Sequence, residues 1–176
     1  EAIEELKTEK FQEFFENEKK QFYIKDCQLE TDLEILIPDS YVSNISERLN
    51  FYKELNSFKK EEEIIAFSER LNDRFGRIPL AISNVFNAIR LRWIAKEIGF
   101  ERIILKNNTM RSYFPAQENS QYYQSASFKS ILNFIQHNME RCIMKEEKGK
   151  LSLKIKDILS IEDAINTCKI LQKKAV

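Results

Sequence analysis

The chain contains few of the residues that mark several common classes of protein. Its 176 residues include three glycines, three prolines, one histidine, one tryptophan and three cysteines. No two glycines lie within six residues of each other, which excludes both a phosphate-binding loop and a dinucleotide-binding fingerprint. We therefore expect this chain to hydrolyse no ATP and to bind no cofactor of its own.

The cysteines do not form a recognisable site. Cys27, Cys142 and Cys168 are odd in number, widely spaced and without a CxxC pair. This pattern argues against a disulfide framework and against a zinc site. Buried, reduced thiols in a cytoplasmic protein are the simpler expectation.

Catalytic candidates are equally sparse. The single histidine, His137, precedes Cys142 by five residues, but the signatures of cysteine hydrolases are missing. The three carboxylates of Glu61–Glu63 would diverge around a helix, since successive side chains point in different directions, so they cannot converge on one metal ion. We expect no enzyme activity and no metal site.

Charge and hydropathy exclude further classes. Lysine plus arginine and aspartate plus glutamate both number 28, so the net charge is zero. A chain that binds nucleic acid through bulk positive charge is therefore disfavoured. No apolar run is long enough to span a membrane, and the first residues do not resemble a secretion signal. We expect a cytoplasmic protein with no membrane partner.

Hydrophobic periodicity predicts an α+β fold, a hairpin-rich small sheet with about six helices packed around it. A strand is predicted over 31–37, where Leu33, Ile35 and Ile37 alternate with polar residues, and Pro38 ends it. Two hairpins are predicted, at 102–114 with a turn at Asn107–Asn108 and at 141–155 with a turn at Lys148–Gly149.

Helices are predicted at five places besides a helical tail near the amino terminus. They cover about 43–58, capped by Ser43 or Ser46, then 60–74, 79–98, 128–135 behind a Ser125 or Ser127 cap, and a last helix after Ser160. Residues 115–124 are predicted as a polar loop.

Two parts of the chain are expected. Residues 1–25 are charged, lack glycine and predict a helical tail or linker from a preceding domain. Phe11, Phe14, Phe15 and Phe22 within it need a surface to pack on. Residues 26–176 form the main domain.

A helix–helix corner at 72–79 has the sharpest pattern. Asp73 and Arg74 fall in the last helical turn, Phe75 ends the apolar stripe, Gly76 is placed for a left-handed residue, and Pro79 can open the next helix. Asp73 and Arg74 are then either ordinary surface charges or a rigid acid–arginine pair presented to a partner.

A basic stretch is the alternative functional candidate. Arg90, Arg92, Lys96 and Arg102 follow one another around Trp93. They are either a solvated outer face or the contact surface of a nucleic-acid-binding accessory module.

Three motifs resemble the C-terminal domain of the bacterial transcription-repair coupling factor family (Mfd). They are Ile35-Leu36-Ile37-Pro38-Asp39-Ser40-Tyr41-Val42, Arg48-Leu49-Asn50-Phe51-Tyr52, and Asp73-Arg74-Phe75-Gly76 followed by Ile78-Pro79. They keep the family's order over about 31–98, while residues 100–176 resemble it only in their pattern of elements. Residues 1–6 resemble the end of the family's translocase motor.

The resemblance implies a non-catalytic regulatory domain over 26–176. In this family a large translocase, driven by ATP with Mg²⁺, pushes on stalled RNA polymerase on DNA and recruits UvrA through an amino-terminal module. The C-terminal domain masks that UvrA-binding module and restrains the motor. Asp73 and Arg74 would then lie in the masking contact. Arg70 stands where many members have glutamate, so the contact at that position would be rearranged or reversed.

Overall fold

A computed structural model describes residues 23–116 and 120–173. The strands are β1 (Gln28–Thr31), β2 (Arg102–Lys106), β3 (Thr109–Tyr113), β4 (Cys142–Glu147) and β5 (Lys150–Lys156). The helices are α1 (Ile45–Ser57), α2 (Glu61–Phe75), α3 (Leu80–Ile98), α4 (Ser120–Tyr123), α5 (Ala126–His137) and α6 (Ile161–Gln172). The predicted α+β class is confirmed. The predicted tail, 1–25, lies almost wholly outside the described residues.

The five strands form one mixed sheet in the order β1-β2-β3-β5-β4. Both predicted hairpins are confirmed, because β2–β3 and β4–β5 pair antiparallel. Asn107 and Asn108 have φ of 53° and 55°. A turn with two residues at positive φ matches the twist of the strands that it joins, and asparagine adopts that conformation at low cost.

The prediction of a strand over 31–37 is wrong in position. β1 ends at Thr31 and pairs parallel with β2. Beyond it, Leu33 donates its N–H to Thr31 Oγ1 over 3.0 Å, and Ile37 donates to the Tyr52 hydroxyl over 2.7 Å. The side chains predicted to point inward do so. The N–H groups of Leu33 and Ile37, however, are bound by side-chain oxygens and not by a neighbouring strand. Alternation of burial therefore occurs here outside the sheet.

Helix starts follow local capping chemistry. Ser125 and Ser160 cap α5 and α6 by accepting from Phe128 N–H and Asp163 N–H. The cap of α1 is Asn44, which lies between the two serines predicted for that role, and its side chain accepts from Glu47 N–H. Asparagine and serine are nearly equivalent caps. Composition alone therefore could not choose among three adjacent candidates.

Helix α3 connects two hydrophobic cores. Its side chains Ile82, Val85, Phe86 and Ile89 pack into a helical core with α1 and α2. On another face of the same helix, apolar residues pack into a second core with the sheet, α5 and α6, namely Ala88, Leu91, Ala95 and Ile98. Burial on both faces makes α3 the central element of the domain.

The segment predicted as a polar loop, 115–124, includes the short helix α4. Tyr122 within it is fully buried and donates its hydroxyl proton to the Ile98 carbonyl over 3.0 Å. A buried aromatic ring whose hydroxyl finds a partner stabilises such a segment despite its polar composition. The two adjacent tyrosines, Tyr122 and Tyr123, were the sequence feature that could have indicated a buried segment here.

Gly99 ends α3 at a point where a side chain has no room. Its φ is +100°, and a Cβ there would lie 2.3 Å from Tyr122 Cε2. We expect Gly99→Ala to lower the free energy of unfolding by about 2–5 kcal/mol, because backbone strain adds to overpacking. Urea unfolding of the purified chain measures this.

The matched control is Gly149→Ala in the β4–β5 turn. Gly149 also has a positive φ, +76°, but nothing lies within 4 Å of its added Cβ. We expect a smaller loss, from backbone strain alone. Equal losses for the two variants would show that the Tyr122 contact does not matter.

Candidate functional site

The predicted corner is an exposed junction between α2 and α3. Asp73 and Arg74 lie in the last turn of α2, and both are exposed. Phe75 is half-buried, with its ring 5.5 Å from the Tyr41 ring and 6.2 Å from the Phe51 ring, measured between centroids. Phe75 therefore fixes the end of α2 to the rest of the helical core, while the two charges before it face solvent.

Gly76 reverses the chain with a conformation other than the one predicted. Its φ is +83°, but its ψ is −162°, which is not the left-handed helical region. Glycine alone adopts this region readily. Pro79 also differs by one position, since it is the residue before α3 begins at Leu80. Its ψ of 158° is extended, and its carbonyl accepts hydrogen bonds from the N–H groups of Ile82 and Ser83.

Tyr41 holds the corner in place from a distant part of the sequence. Its hydroxyl lies 3.1 Å from the Leu71 carbonyl oxygen and 2.8 Å from the Gly76 carbonyl oxygen, so its one proton is shared between them. Burial raises the pKa of this hydroxyl, which keeps it protonated and able to donate. Tyr41 belongs to the first of the three sequence motifs, but nothing in its spacing indicated this contact.

Two ion pairs join α2 to α1 beside the corner. Arg70 binds Glu54 over 2.5 Å, and Arg74 binds Glu47. The arginine planes also lie over aromatic rings, with Arg70 5.1 Å from the centre of Phe67 and Arg74 4.8 Å from that of Phe75. The pairing order is that of antiparallel helices. Both arginines are more than half exposed, so the pairs are surface pairs.

Asp73 differs from its neighbours. Among residues 23–116 and 120–173, no ion pair or side-chain hydrogen bond involves its carboxylate. Its acceptor oxygens are therefore open to solvent. We call Asp73, Arg74, Arg70 and the two α1 glutamates the corner surface. Sequence reasoning missed Glu47 and Glu54, although their spacing of seven residues places both on one face of α1.

The structure does not gather the predicted basic stretch into one free surface. Arg90 binds Glu61 over 2.5 Å, and the pKa of that carboxyl falls because the guanidinium is hydrogen-bonded to it. Arg92 binds Asp26, and Arg102 binds Glu30 on β1. Each arginine would have to exchange a carboxylate for a phosphate to bind nucleic acid, so that function stays a prediction.

The cysteine and histidine candidates are not arranged for nucleophilic chemistry. All three thiols are buried. Burial raises the pKa of Cys27 to about 12 and raises the pKa of Cys142 and of Cys168 as well. His137 is exposed, and its Nδ1 lies 2.8 Å from the Asn133 carbonyl oxygen. A thiol held in its protonated form is a poor nucleophile.

Across the described parts of the chain, no three His, Cys, Asp or Glu side chains come together in a way that could hold a metal ion. In the same residues, no helix combines the length and apolar character needed to cross a bilayer.

These features define an α+β domain whose conspicuous surface is a charged helix corner. A family model described as the TRCF domain matches residues 31–125, more than half of the chain. The chain therefore belongs to the TRCF domain family. This confirms the resemblance drawn from the three motifs.

Individual relatives agree with the family match. The chain is 26% identical over 111 residues to the transcription-repair-coupling factor of Rickettsia prowazekii, covering 57% of this chain and 10% of that protein. It is 38% identical over 82 residues to that of Buchnera aphidicola, covering 46% and 10%, and 32% identical over 79 residues to that of Escherichia coli, covering 45% and 7%. The chain thus spans a tenth or less of these relatives.

A solved structure shows the same fold. The crystal structure of the C-terminal domain of transcription-repair coupling factor superposes with a TM-score of 0.63 at 17% identity. The match covers 83% of this chain and 91% of that one. The structural match therefore extends past residue 125, beyond the region that contains the three sequence motifs.

Tyr41→Phe tests the corner. The change removes the proton shared by the Leu71 and Gly76 carbonyls and keeps the ring on Phe75. We expect the free energy of unfolding to fall by about 1 kcal/mol, the usual net value of one such hydrogen bond. Urea unfolding measures it. Tyr113→Phe is the control, because the Tyr113 hydroxyl has no hydrogen bond within the described residues; an equal loss there would contradict our assignment.

The thiols give a second test. Raising the pKa of Cys27 from 9.0 to about 12 lowers its thiolate fraction roughly a thousandfold. We expect an aromatic disulfide reagent at neutral pH to label none of the three cysteines in the native chain and all of them in urea. Fast labelling of any thiol in the native protein would reopen the possibility of a reactive cysteine.

Proposed function

We propose that this chain is the regulatory C-terminal domain of a transcription-repair coupling factor. In this proposal the corner surface packs against the amino-terminal, UvrA-binding module of the same protein. It hides that module and restrains the DNA translocase motor until the motor engages a stalled RNA polymerase. ATP and Mg²⁺ belong to the motor, and this domain takes no part in the chemistry. The carrying observation is the exposed Asp73–Arg74 pair on a rigid corner.

A masking contact has to be specific and still open on demand. Specificity comes from geometry, because Phe75 and Tyr41 hold the backbone that carries the two charged side chains. An arginine fork and an open carboxylate in the same helical turn can recognise an acid and a base on a partner. Reversibility comes from exposure, because exposed ion pairs contribute only about 0.2–1 kcal/mol each.

Arg74 can exchange partners when the domain docks. Its present partner, Glu47, lies in the first turn of α1, and the Arg74 side chain is 60% exposed. A carboxylate on the amino-terminal module would replace one surface pair by another at little net cost. Coupling between sites in such switches is typically about 1–3 kcal/mol. A new ion pair to the open Asp73 carboxylate would contribute about 0.2–1 kcal/mol of it.

Arg70 takes a different part in the proposal. Where many relatives carry glutamate, this chain has an arginine that Glu54 binds and that lies over Phe67. We infer that the Arg70–Glu54 pair presents no net negative charge at this edge, so the contact that the resemblance implies there is rearranged. The masking contact then depends chiefly on Asp73 and Arg74.

The test uses the full-length coupling factor that carries this domain. We expect Asp73→Ala with Arg74→Ala to increase UvrA binding and to raise basal ATPase. Loss of coupling worth about 1–3 kcal/mol corresponds to a change of about 5–150-fold in apparent affinity. UvrA affinity is measured by titration, and ATPase is measured without DNA or polymerase.

The control is Lys129→Ala with Glu140→Ala, which removes an exposed base and an exposed acid from the other half of the domain. The control should leave both readouts unchanged, and all proteins should share one melting temperature. Unchanged UvrA binding and unchanged ATPase in the corner variant would refute the masking role.

A further inference from the structure

A second surface lies on the other side of the helical core, around the only tryptophan. A groove of about 300 Å³ runs between the carboxyl half of α3 and the connection from α1 to α2. Its apolar wall consists of Leu55, Phe58, Ile89 and Trp93. A cavity of about 150 Å³ accepts a benzene-sized ring, so this groove has room for an aromatic side chain.

The rim of the groove is positively charged. Lys25, Lys59, Arg92 and Lys96 line it, against the two carboxylates of Asp26 and Glu97. Asp26 is bound by Arg92, and Glu97 accepts a hydrogen bond from Gln172. Four cationic side chains therefore face two carboxylates in the lining, so an incoming group would meet a net positive charge.

Residues 1–22 of the chain have the complementary composition. They contain seven glutamates against four lysines, and four phenylalanines at 11, 14, 15 and 22. They enter the described structure at Tyr23, whose ring packs edge-on to Tyr122, with centroids 5.3 Å apart. Two residues later, Lys25 and Asp26 already line the groove.

We propose that residues 1–22 dock into this groove, with phenylalanine side chains against Trp93 and Phe58 and glutamates on the lysine rim. A tethered segment has an effective concentration on the order of millimolar, which favours it over a free acidic ligand. The proposal names a surface on which the phenylalanines of this segment could pack. It does not depend on the proposed masking role, since it involves neither Asp73 nor Arg74.

Docking would give these residues a mechanical role. Residues 1–22 lie between the domain and any polypeptide that precedes it, so the docked segment would orient the domain. Charge complementarity makes the contact dependent on salt, since exposed charges are screened at high ionic strength.

Trp93 is the reporter, because the chain has a single tryptophan. Acrylamide quenching of its fluorescence measures how far the groove is covered in the 176-residue chain. We expect Phe11→Ser, Phe14→Ser and Phe15→Ser together to increase the undocked population about fivefold or more, as a modest loss of contact energy does. Quenching should rise accordingly.

The matched control replaces three exposed apolar residues outside the groove lining, Met139→Ser, Leu159→Ser and Ile170→Ser. Their exposures of 73%, 64% and 51% make them tolerant of the change. This variant should quench like the parent. Circular dichroism and melting temperature confirm that each variant is folded.

A second variant pair tests the charges from the groove side. Lys59→Gln with Lys96→Gln should raise quenching at low salt and have little effect at high salt, whereas Lys129→Gln with Lys156→Gln should do nothing. Equal quenching in the parent and the triple phenylalanine variant would overturn the proposal. A second outcome would also overturn the proposal: a short single-stranded oligonucleotide protects Trp93 from quenching, and the phenylalanine substitutions have no effect. The groove would then bind nucleic acid.

Discussion

Burial of helix α3 on two faces is the constraint on which the rest of the domain depends. One stripe of its side chains packs into the helical core and another into the core under the sheet. Each fully buried Val, Leu, Ile or Phe side chain contributes about 1.5–3 kcal/mol relative to exposure. Six of the nine buried residues of this helix are of these types, so its burial is a large share of the total. The hairpin of α1 and α2 is held relative to the sheet because both pack on this helix.

The corner surface gains its rigidity from that packing. Gly76 and Pro79 lie directly before α3, and Phe75 packs against Tyr41 and Phe51, whose rings border the helical core. The charged side chains can therefore be exposed while the backbone that carries them is held in place. A surface of this kind suits a contact that has to form and release, because its ion pairs contribute little individually while its backbone does not have to be ordered on binding.

The same chain uses its other charges in a different way. Arg90 joins α3 to α2, Arg92 joins α3 to the segment before β1, and Arg102 joins β2 to β1. A row of arginines in sequence is thus distributed over three separate ion pairs in space. The zero net charge already indicated that carboxylates were available to pair with them, although it could not say which ones.

Local patterns in the sequence determined much of this fold. The two hairpins follow from Asn107–Asn108 and Lys148–Gly149, the starts of α5 and α6 from Ser125 and Ser160, and the end of α3 from Gly99, because caps and tight turns depend on residues close together in the chain. Three motifs together also indicated the family. The corner was recognisable from Asp73 to Pro79 for the same reason.

Tertiary structure decided what local patterns could not. It shifted the first strand from 31–37 to Gln28–Thr31, because only there does the backbone lie beside β2, some seventy residues away. It formed α4 by burying Tyr122 beneath Gly99, and it joined Arg70 and Arg74 to glutamates on another helix. Each of these outcomes depends on groups far apart in sequence, whose energies exist only once α3 has brought the two cores together.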